Sequence, residues 1–299
     1  MIKKLTELAQ NLKISDFGIV RARVFDDLCL DLHTANSSEF VSAAPEERSN
    51  PFLIMPDAKS LIVCLFNYNC GRTGNISKYA MGEDYHSVIK KKLAAFAEPL
   101  RAAGFDCMEF SDSWSMNERY LAACAGLGFV GKNRMFISRK FGSYVFIGTI
   151  ITNCELEPSE AAKSSCAGCN MCIKSCPGGA LSEDRGFNES RCLSYITQKK
   201  GELEPWETEL IRKGKSAWGC DICQEVCPHN KNAPCTDIEE FSNNLISGLN
   251  IDEDMSNKEF KRAYSNRAFS WRGKAPLVRN LKILKKQRKS EKTVENGLT

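Results

Sequence analysis

The 299-residue sequence has no apolar run approaching the roughly 18 residues that a membrane span needs. Its N-terminus starts basic, but Gln10, Asn11 and Lys13 break any apolar signal-peptide core. Internal repeats and low-complexity segments are missing, and so is a Walker loop. No G-x-G-x-x-G follows a strand. Gly126-Leu-Gly-Phe-Val-Gly131 has that spacing but comes after a helix instead of a strand, so a nicotinamide site is not expected. Charge of one sign is also lacking, because the net +4 is mild. These absences leave a cytoplasmic protein with no membrane partner, large enough for one large or two modest domains.

Cysteine, by contrast, is abundant, with fifteen residues. An odd count and the missing export signal argue against a disulfide framework. The spacing points to metal. Cys166-Ala-Gly-Cys169-Asn-Met-Cys172-Ile-Lys-Ser-Cys176-Pro177 is the C-x₂-C-x₂-C-x₃-C-P run of bacterial ferredoxins, whose fourth cysteine serves the other cluster in two-cluster proteins. A second set follows at Cys220, Cys223 and Cys227, again closed by a proline, and it is one thiolate short. The isolated Cys192 supplies the missing ligand. Two [4Fe–4S] clusters are therefore expected, one on Cys166, Cys169, Cys172 and Cys227, the other on Cys176, Cys192, Cys220 and Cys223. Zinc is the rival, but its paired ligands are normally well separated along the chain. Cys29, Cys64, Cys70, Cys107, Cys124, Cys154 and Cys235 are left as structural residues, Cys64 and Cys124 as small buried hydrophobes. Reactivity at Cys70 or Cys154 is the minor alternative.

Periodicity predicts helices over 1–13, 84–103, 118–127, 255–264 and 275–289, and strands over 60–66, 107–110 and 143–152. This pattern gives an α/β (α+β) domain over 1–155, a ferredoxin-like module over 156–235 and a basic helical tail over 236–299. A two-cluster ferredoxin needs far fewer residues than this, so the remainder must bind something.

Several segments resemble one family. They are Pro56-Asp-Ala-Lys-Ser60, Tyr79-Ala-Met-Gly-Glu-Asp-Tyr-His86, Asp112-Ser113 with Glu118-Arg-Tyr-Leu-Ala122, Ala125-Gly-Leu-Gly-Phe-Val-Gly-Lys-Asn133, Gly142-Ser-Tyr-Val-Phe-Ile-Gly148, Arg191-Cys-Leu-Ser-Tyr-Ile-Thr197 and Gly219 to Pro228. In this order they are similar to the epoxyqueuosine reductases, cobalamin and iron–sulfur enzymes of the last step of queuosine synthesis in tRNA. The resemblance implies base-off cobalamin beside the clusters, an external low-potential electron donor, and tRNA as partner. It also implies Asp112 as a catalytic proton donor, held protonated by a desolvated site, whereas the bland reading of Asp112 is a helix cap. By the same resemblance Tyr79, Asp84, Lys132, Asn133 and Ser194 are candidate cofactor contacts. Asp84-Tyr-His86 starts like the D-x-H-x-x-G of histidine-ligated cobalt sites, but position 89 is isoleucine. His86 is accordingly expected to be a packed histidine after a capping Asp.

Two departures from the family pattern stand out. Trp114 and its neighbours replace a proline usual three residues after the catalytic Asp, and the chain ends where many relatives continue into a helical-repeat domain. A short-form, monomeric enzyme is expected. Its tail cations (Lys261, Arg262, Arg267, Arg272, Lys274, Arg279, Lys282, Lys285, Lys286) would then form a phosphate-binding surface, or simply a solvated helix face. The alternative functions are a sister corrinoid reductase acting on another small substrate, such as an organohalide, and a noncatalytic electron carrier, which would have no use for Asp112.

Overall fold

The computed structural model describes residues 1–28, 44–112, 116–160, 164–166, 168–184 and 186–296, with side chains of the last helix through 285. Cys29, Ser113, Trp114 and the Lys286 side chain lie outside the described residues. The first helix, α1 (Ile2–Asn11), buries Leu5 and Ala9. Next come β1 (Asp16–Arg21), β2 (Ser60–Asn67), α2 (Tyr85–Arg101), β3 (Cys107–Phe110), α3 (Glu118–Cys124), the short β4 (Gly128–Val130) and β5 (Phe136–Ser138), and β6 (Val145–Thr152).

Four of these strands form one sheet in the order β1-β2-β6-β3, with every neighbouring pair antiparallel. Every residue of β2 is buried, because the strand is covered on both faces. Ile62, Cys64 and Phe66 point to one side and pack with α1 and α2 through Leu5, Leu93 and Phe96. Leu61, Val63 and Leu65 point to the other and pack with Leu121, Ala122 and Phe136. This is the two-residue alternation of a strand. Cys64 is one of these buried hydrophobes. Gly148 on β6 lets α2 approach, since a Cβ there would come within 2.8 Å of Ile89 Cγ2 and of Leu93 Cδ1.

Among the described residues, the α-helices of the cysteine-rich segment are short: α4 (Met171–Ser175), α5 (Leu193–Gln198), α6 (Pro205–Gly214) and α7 (Ile222–Glu225). Glu204 and Glu207 form a capping box at α6, and Glu207 also takes Lys199 Nζ at 2.6 Å. A polar weld joins this segment to the sheet. Asp221, between two of the cysteines, accepts from Ser77 Oγ at 2.5 Å and Lys78 N at 2.7 Å, and Gln224 accepts from Tyr68 and Ser143.

The chain finishes with α8 (Glu239–Ser242), α9 (Asn257–Tyr264) and α10 (Lys274–Asn296). These helices do not form a detached tail. Phe260, Phe269, Leu277 and Leu281 share a core with Ile76, Met81 and the fully buried Trp218. Asn280, also fully buried, donates to Thr197 O at 2.8 Å and Ala217 O at 2.9 Å, stitching α10 to the cysteine segment. Among the described residues no helix is long and apolar enough to cross a membrane.

Candidate active site

β3 ends at Phe110, and the chain then turns sharply. Ser111 Oγ donates to Ile147 O at 3.3 Å, anchoring the turn to β6. Asp112 has φ of 56°, in the left-handed region that residues other than glycine seldom adopt and that clusters at functional sites. Its backbone N–H donates to Glu118 Oε1 at 2.9 Å, so the first residue of α3 holds the turn from the other side. The cap of α3 is Asn117, whose side chain accepts from Tyr120 N. The capping role for Asp112 is thereby removed.

The Asp112 carboxylate is instead engaged from α2. The Tyr85 hydroxyl donates to Oδ2, and His86 Nε2 lies 3.5 Å from the same oxygen. The other imidazole nitrogen, Nδ1, is 2.7 Å from Asp84 Oδ1. Asp84 caps α2 by accepting from His86 N at 3.2 Å, so one carboxylate both starts the helix and orients the histidine. Tyr85 is stacked on Phe146 of β6, with ring centroids 4.2 Å apart and planes at 11°.

The protons are distributed differently from the expectation. The His86 contact, and after it the Tyr85 hydroxyl, hold the Asp112 carboxyl below the usual range against the opposing desolvation. Burial would lower His86, but its hydrogen bonds to Asp112 and Asp84 outweigh that and push it up to about 9. Burial, followed by the charge of Asp112, pushes Glu118 up to about 8. At neutral pH the aspartate is thus a carboxylate flanked by an imidazolium and a neutral glutamic acid. The expectation of an Asp112 kept protonated by desolvation is corrected, because its ionised form has two donors facing it.

The cysteines gather in two groups. Cys166, Cys169, Cys172 and Cys227 line one small cavity together with Lys132, Asn133 and His229. Cys223 lies within electrostatic reach of Cys220, Cys192 and Cys176, and also of Cys172, so the two groups adjoin. Backbone amides point at the sulfurs: Lys132 N at 3.3 Å from Cys166 Sγ and Ala180 N at 3.3 Å from Cys176 Sγ. The amides of Tyr195 and Ser194 serve Cys192, and those of His229 and Asn230 serve Cys227. Among the described residues no three Cys, His, Asp or Glu converge on a single ion. Four thiolates around a volume, with N–H groups between them, fit a cubane.

Comparison with known proteins agrees with both halves of this geometry. A family model described as "4Fe-4S double cluster binding domain" matches residues 165–230, and one described as "Epoxyqueuosine reductase QueG" matches residues 48–113. The epoxyqueuosine reductase of Lactococcus garvieae (strain Lg2) is 34% identical over 302 residues, covering 93% of this chain and 84% of that protein. This chain belongs to the epoxyqueuosine reductase family. A solved epoxyqueuosine reductase with an epoxyqueuosine-modified tRNA-Tyr stem loop superposes with a TM-score of 0.85 at 30% identity, over 94% of this chain and 80% of that one. The Bacillus subtilis enzyme, solved with its aspartate catalytic loop swung out of the active site, gives 0.83 at 31% identity, over 94% and 80%.

Within this epoxyqueuosine reductase fold the expected cofactor contacts separate. Asp84 stands beside Asp112 through His86. Tyr79 backs that site, its hydroxyl accepting from Trp218 Nε1 at 2.7 Å, and its ring packs in T-shape against Tyr85. Lys132 and Asn133 lie at the first cysteine cavity, with Lys132 Nζ 2.6 Å from Asn170 Oδ1. Ser194 meets Cys192 through its backbone amide. Tyr85 and Glu118 were not singled out from sequence, and His86 was read only as a packed residue, although all three sit inside the two motifs that flank Asp112.

The basic tail differs from the expected phosphate surface. Arg267 is buried and donates to Met81 O and Asn244 O; Arg279 donates to Lys199 O and Gly201 O. Arg272 reaches Gln198 O, Lys274 reaches Met255 O, and Lys282 pairs with Glu253 at 2.8 Å. Arg267, Arg272 and Arg279 fasten the tail to the body, whereas Lys274 and Lys282 are held by partners within the tail. Lys261, Arg262 and Lys285 are exposed.

Proposed function

We propose that this protein reduces epoxyqueuosine in tRNA to queuosine, with Asp112 passing protons to the departing oxygen and His86 reloading it. The observation that carries this reading is the Asp84–His86–Asp112 line, 2.7 Å and 3.5 Å between successive groups, at a strained turn. Relatives across most of the chain bear this activity in their names, and one of them was solved with the modified stem loop.

Turning an epoxide into an alkene consumes two electrons and two protons and releases water. The thiolate groups supply ligands for two [4Fe–4S] clusters: Cys166, Cys169, Cys172 and Cys227 for the first, and Cys176, Cys192, Cys220 and Cys223 for the second. When bound, the clusters and cobalamin provide the two electrons. His86 is committed to two carboxylates and Ile89 is buried in the core, which supports cobalamin held without a histidine ligand.

The protein's own contribution is to the protons. Asp112 keeps 60% of its side-chain surface open, so a substrate oxygen can approach it. His86, protonated at neutral pH, stands behind it as the proton store, and Asp84 fixes the imidazole so that Nε2 faces Asp112. Glu118 holds the turn through the Asp112 amide while remaining neutral, which avoids a second negative charge beside the carboxylate. For tRNA, exposed Lys261 and Arg262 are candidate phosphate contacts.

The test is anaerobic reconstitution with iron, sulfide and cobalamin, then incubation with a reductant and epoxyqueuosine-containing tRNA, reading nucleosides by mass spectrometry. Loss of one oxygen mass is the expected result. Cobalamin that binds and is reduced while the tRNA stays unchanged would sink the assignment in favour of a sister reductase.

A further inference from the structure

Asn133 is 6% exposed, and it lines the cavity formed by Cys166, Cys169, Cys172 and Cys227. Its Oδ1 accepts from Met135 N at 3.2 Å, which fixes the amide so that oxygen, not nitrogen, faces the backbone donor. Its Nδ2 is buried and, among the described residues, has no hydrogen-bond partner. Buried donors are almost always satisfied, so an orphan of this kind asks for an acceptor that the polypeptide does not supply.

The local backbone holds the amide in place. Gly131 N donates to Met135 O at 2.9 Å and Arg134 N to Gly131 O at 3.0 Å, closing a tight turn around Lys132 and Asn133. A Cβ at Gly131 would lie 2.8 Å from Asn133 Oδ1, so the glycine permits the side chain to tuck inward. In the same turn, Lys132 N already donates to Cys166 Sγ at 3.3 Å.

Taken with the proposal that these four thiolates hold a [4Fe–4S] cluster, the geometry points to Asn133 Nδ2 as an N–H···S donor to a sulfur of that cluster. This makes Asn133 a positioning and potential-setting residue at the first cluster, in place of the corrinoid contact expected from the family resemblance. A donor to a cluster sulfur stabilises the reduced, more negative form, and hydrogen bonds to sulfur are among the factors that set cluster potentials. Removing the donor should lower the potential of this cluster and leave the other unmoved.

The experiment uses the full chain reconstituted anaerobically with iron and sulfide and reduced for pulsed electron paramagnetic resonance. In wild type carrying asparagine labelled with ¹⁵N at the side-chain amide, an amide ¹⁵N coupling to one reduced cluster is expected. It should be absent from Asn133→Asp, which keeps the acceptor for Met135 N, and from Asn133→Leu. Redox titration of either variant should show one of the two midpoints falling by about tenfold in reduction constant, about 59 mV for one electron.

A wild type without the ¹⁵N coupling overturns the inference, even if neither variant folds. So do variants with both midpoints unchanged, or with unchanged midpoints and weakened cobalamin binding, which would return Asn133 to the corrinoid. A wild type that assembles no cluster at all would instead overturn the cluster assignment on which the inference rests.

Discussion

His86 Nε2 lies 3.5 Å from Asp112 Oδ2 while its Nδ1 lies 2.7 Å from Asp84 Oδ1, so one imidazole joins a helix cap to a strand end 28 residues away. An imidazole between two carboxylates is a stable home for a proton. Its pKa, pushed up to about 9, keeps it charged through the neutral range.

The first prediction concerns that proton. His86→Gln should lower single-turnover epoxide reduction at pH 7.5 by about 100-fold, the low end of what general acid catalysis contributes. Wild-type activity should fall as pH rises through about 9, where His86 loses its proton. The variant should lack this alkaline limb. A variant that keeps wild-type rate and pH profile would remove His86 from the proton path.

Asp112→Asn tests the group in front of it. The amide cannot pass a proton, so turnover should drop by about 100- to 10,000-fold. Cluster and cobalamin absorbance should survive, because Asp112 touches neither cysteine group. Normal turnover in this variant would remove Asp112 from the mechanism.

Much of this site was written in the sequence, although its chemistry was not. The strand at Cys107–Phe110 and the helix starting at Glu118 stand where periodicity places them, so the turn carrying Asp112 could be located. The antiparallel sheet could not, because β1 shows little alternation and the short β4 and β5 lie in a glycine-rich run. His86 was read as a packed residue because Asp84 does cap the helix, and local spacing cannot reveal that both residues also face Asp112. Glu118 read as a first-turn acid, and only the fold shows the Asp112 amide resting on it. In the tail, a run of positive charge hid Arg267 and Asn280, whose partners are carbonyls from segments far along the chain.

Glu118 offers a stability test with a definite sign. Its folded-state pKa is raised from 4.5 to about 8, so the folded protein holds this proton where the unfolded chain has lost it. The stabilisation that comes with the bound proton is lost progressively as pH rises from about 4.5 to about 8. Glu118→Gln keeps an acceptor for Asp112 N and cannot ionise. Its melting temperature relative to wild type should therefore climb between pH 5 and pH 8 and level off above. A constant difference across that range would show that Glu118 ionises normally.

The last prediction separates the side chains that anchor the tail from its exposed cations. Asn280→Ala leaves two buried carbonyls, Thr197 O and Ala217 O, without this donor, and should cost about 1–3 kcal/mol in denaturant unfolding. Arg279→Ala removes contacts to Lys199 O and Gly201 O and should also destabilise. Neither residue offers its donors to solvent, so the salt dependence of tRNA binding should stay as in wild type for both. Lys261→Ala with Arg262→Ala should do the reverse. These side chains are exposed, so stability should hardly change, while the slope of log affinity against log salt should become shallower by about two. An unchanged slope in the double variant would return the tail to a purely structural role. A changed slope in Asn280→Ala, with the fold intact, would mean that tRNA reads the tail through its docking instead of its surface charge.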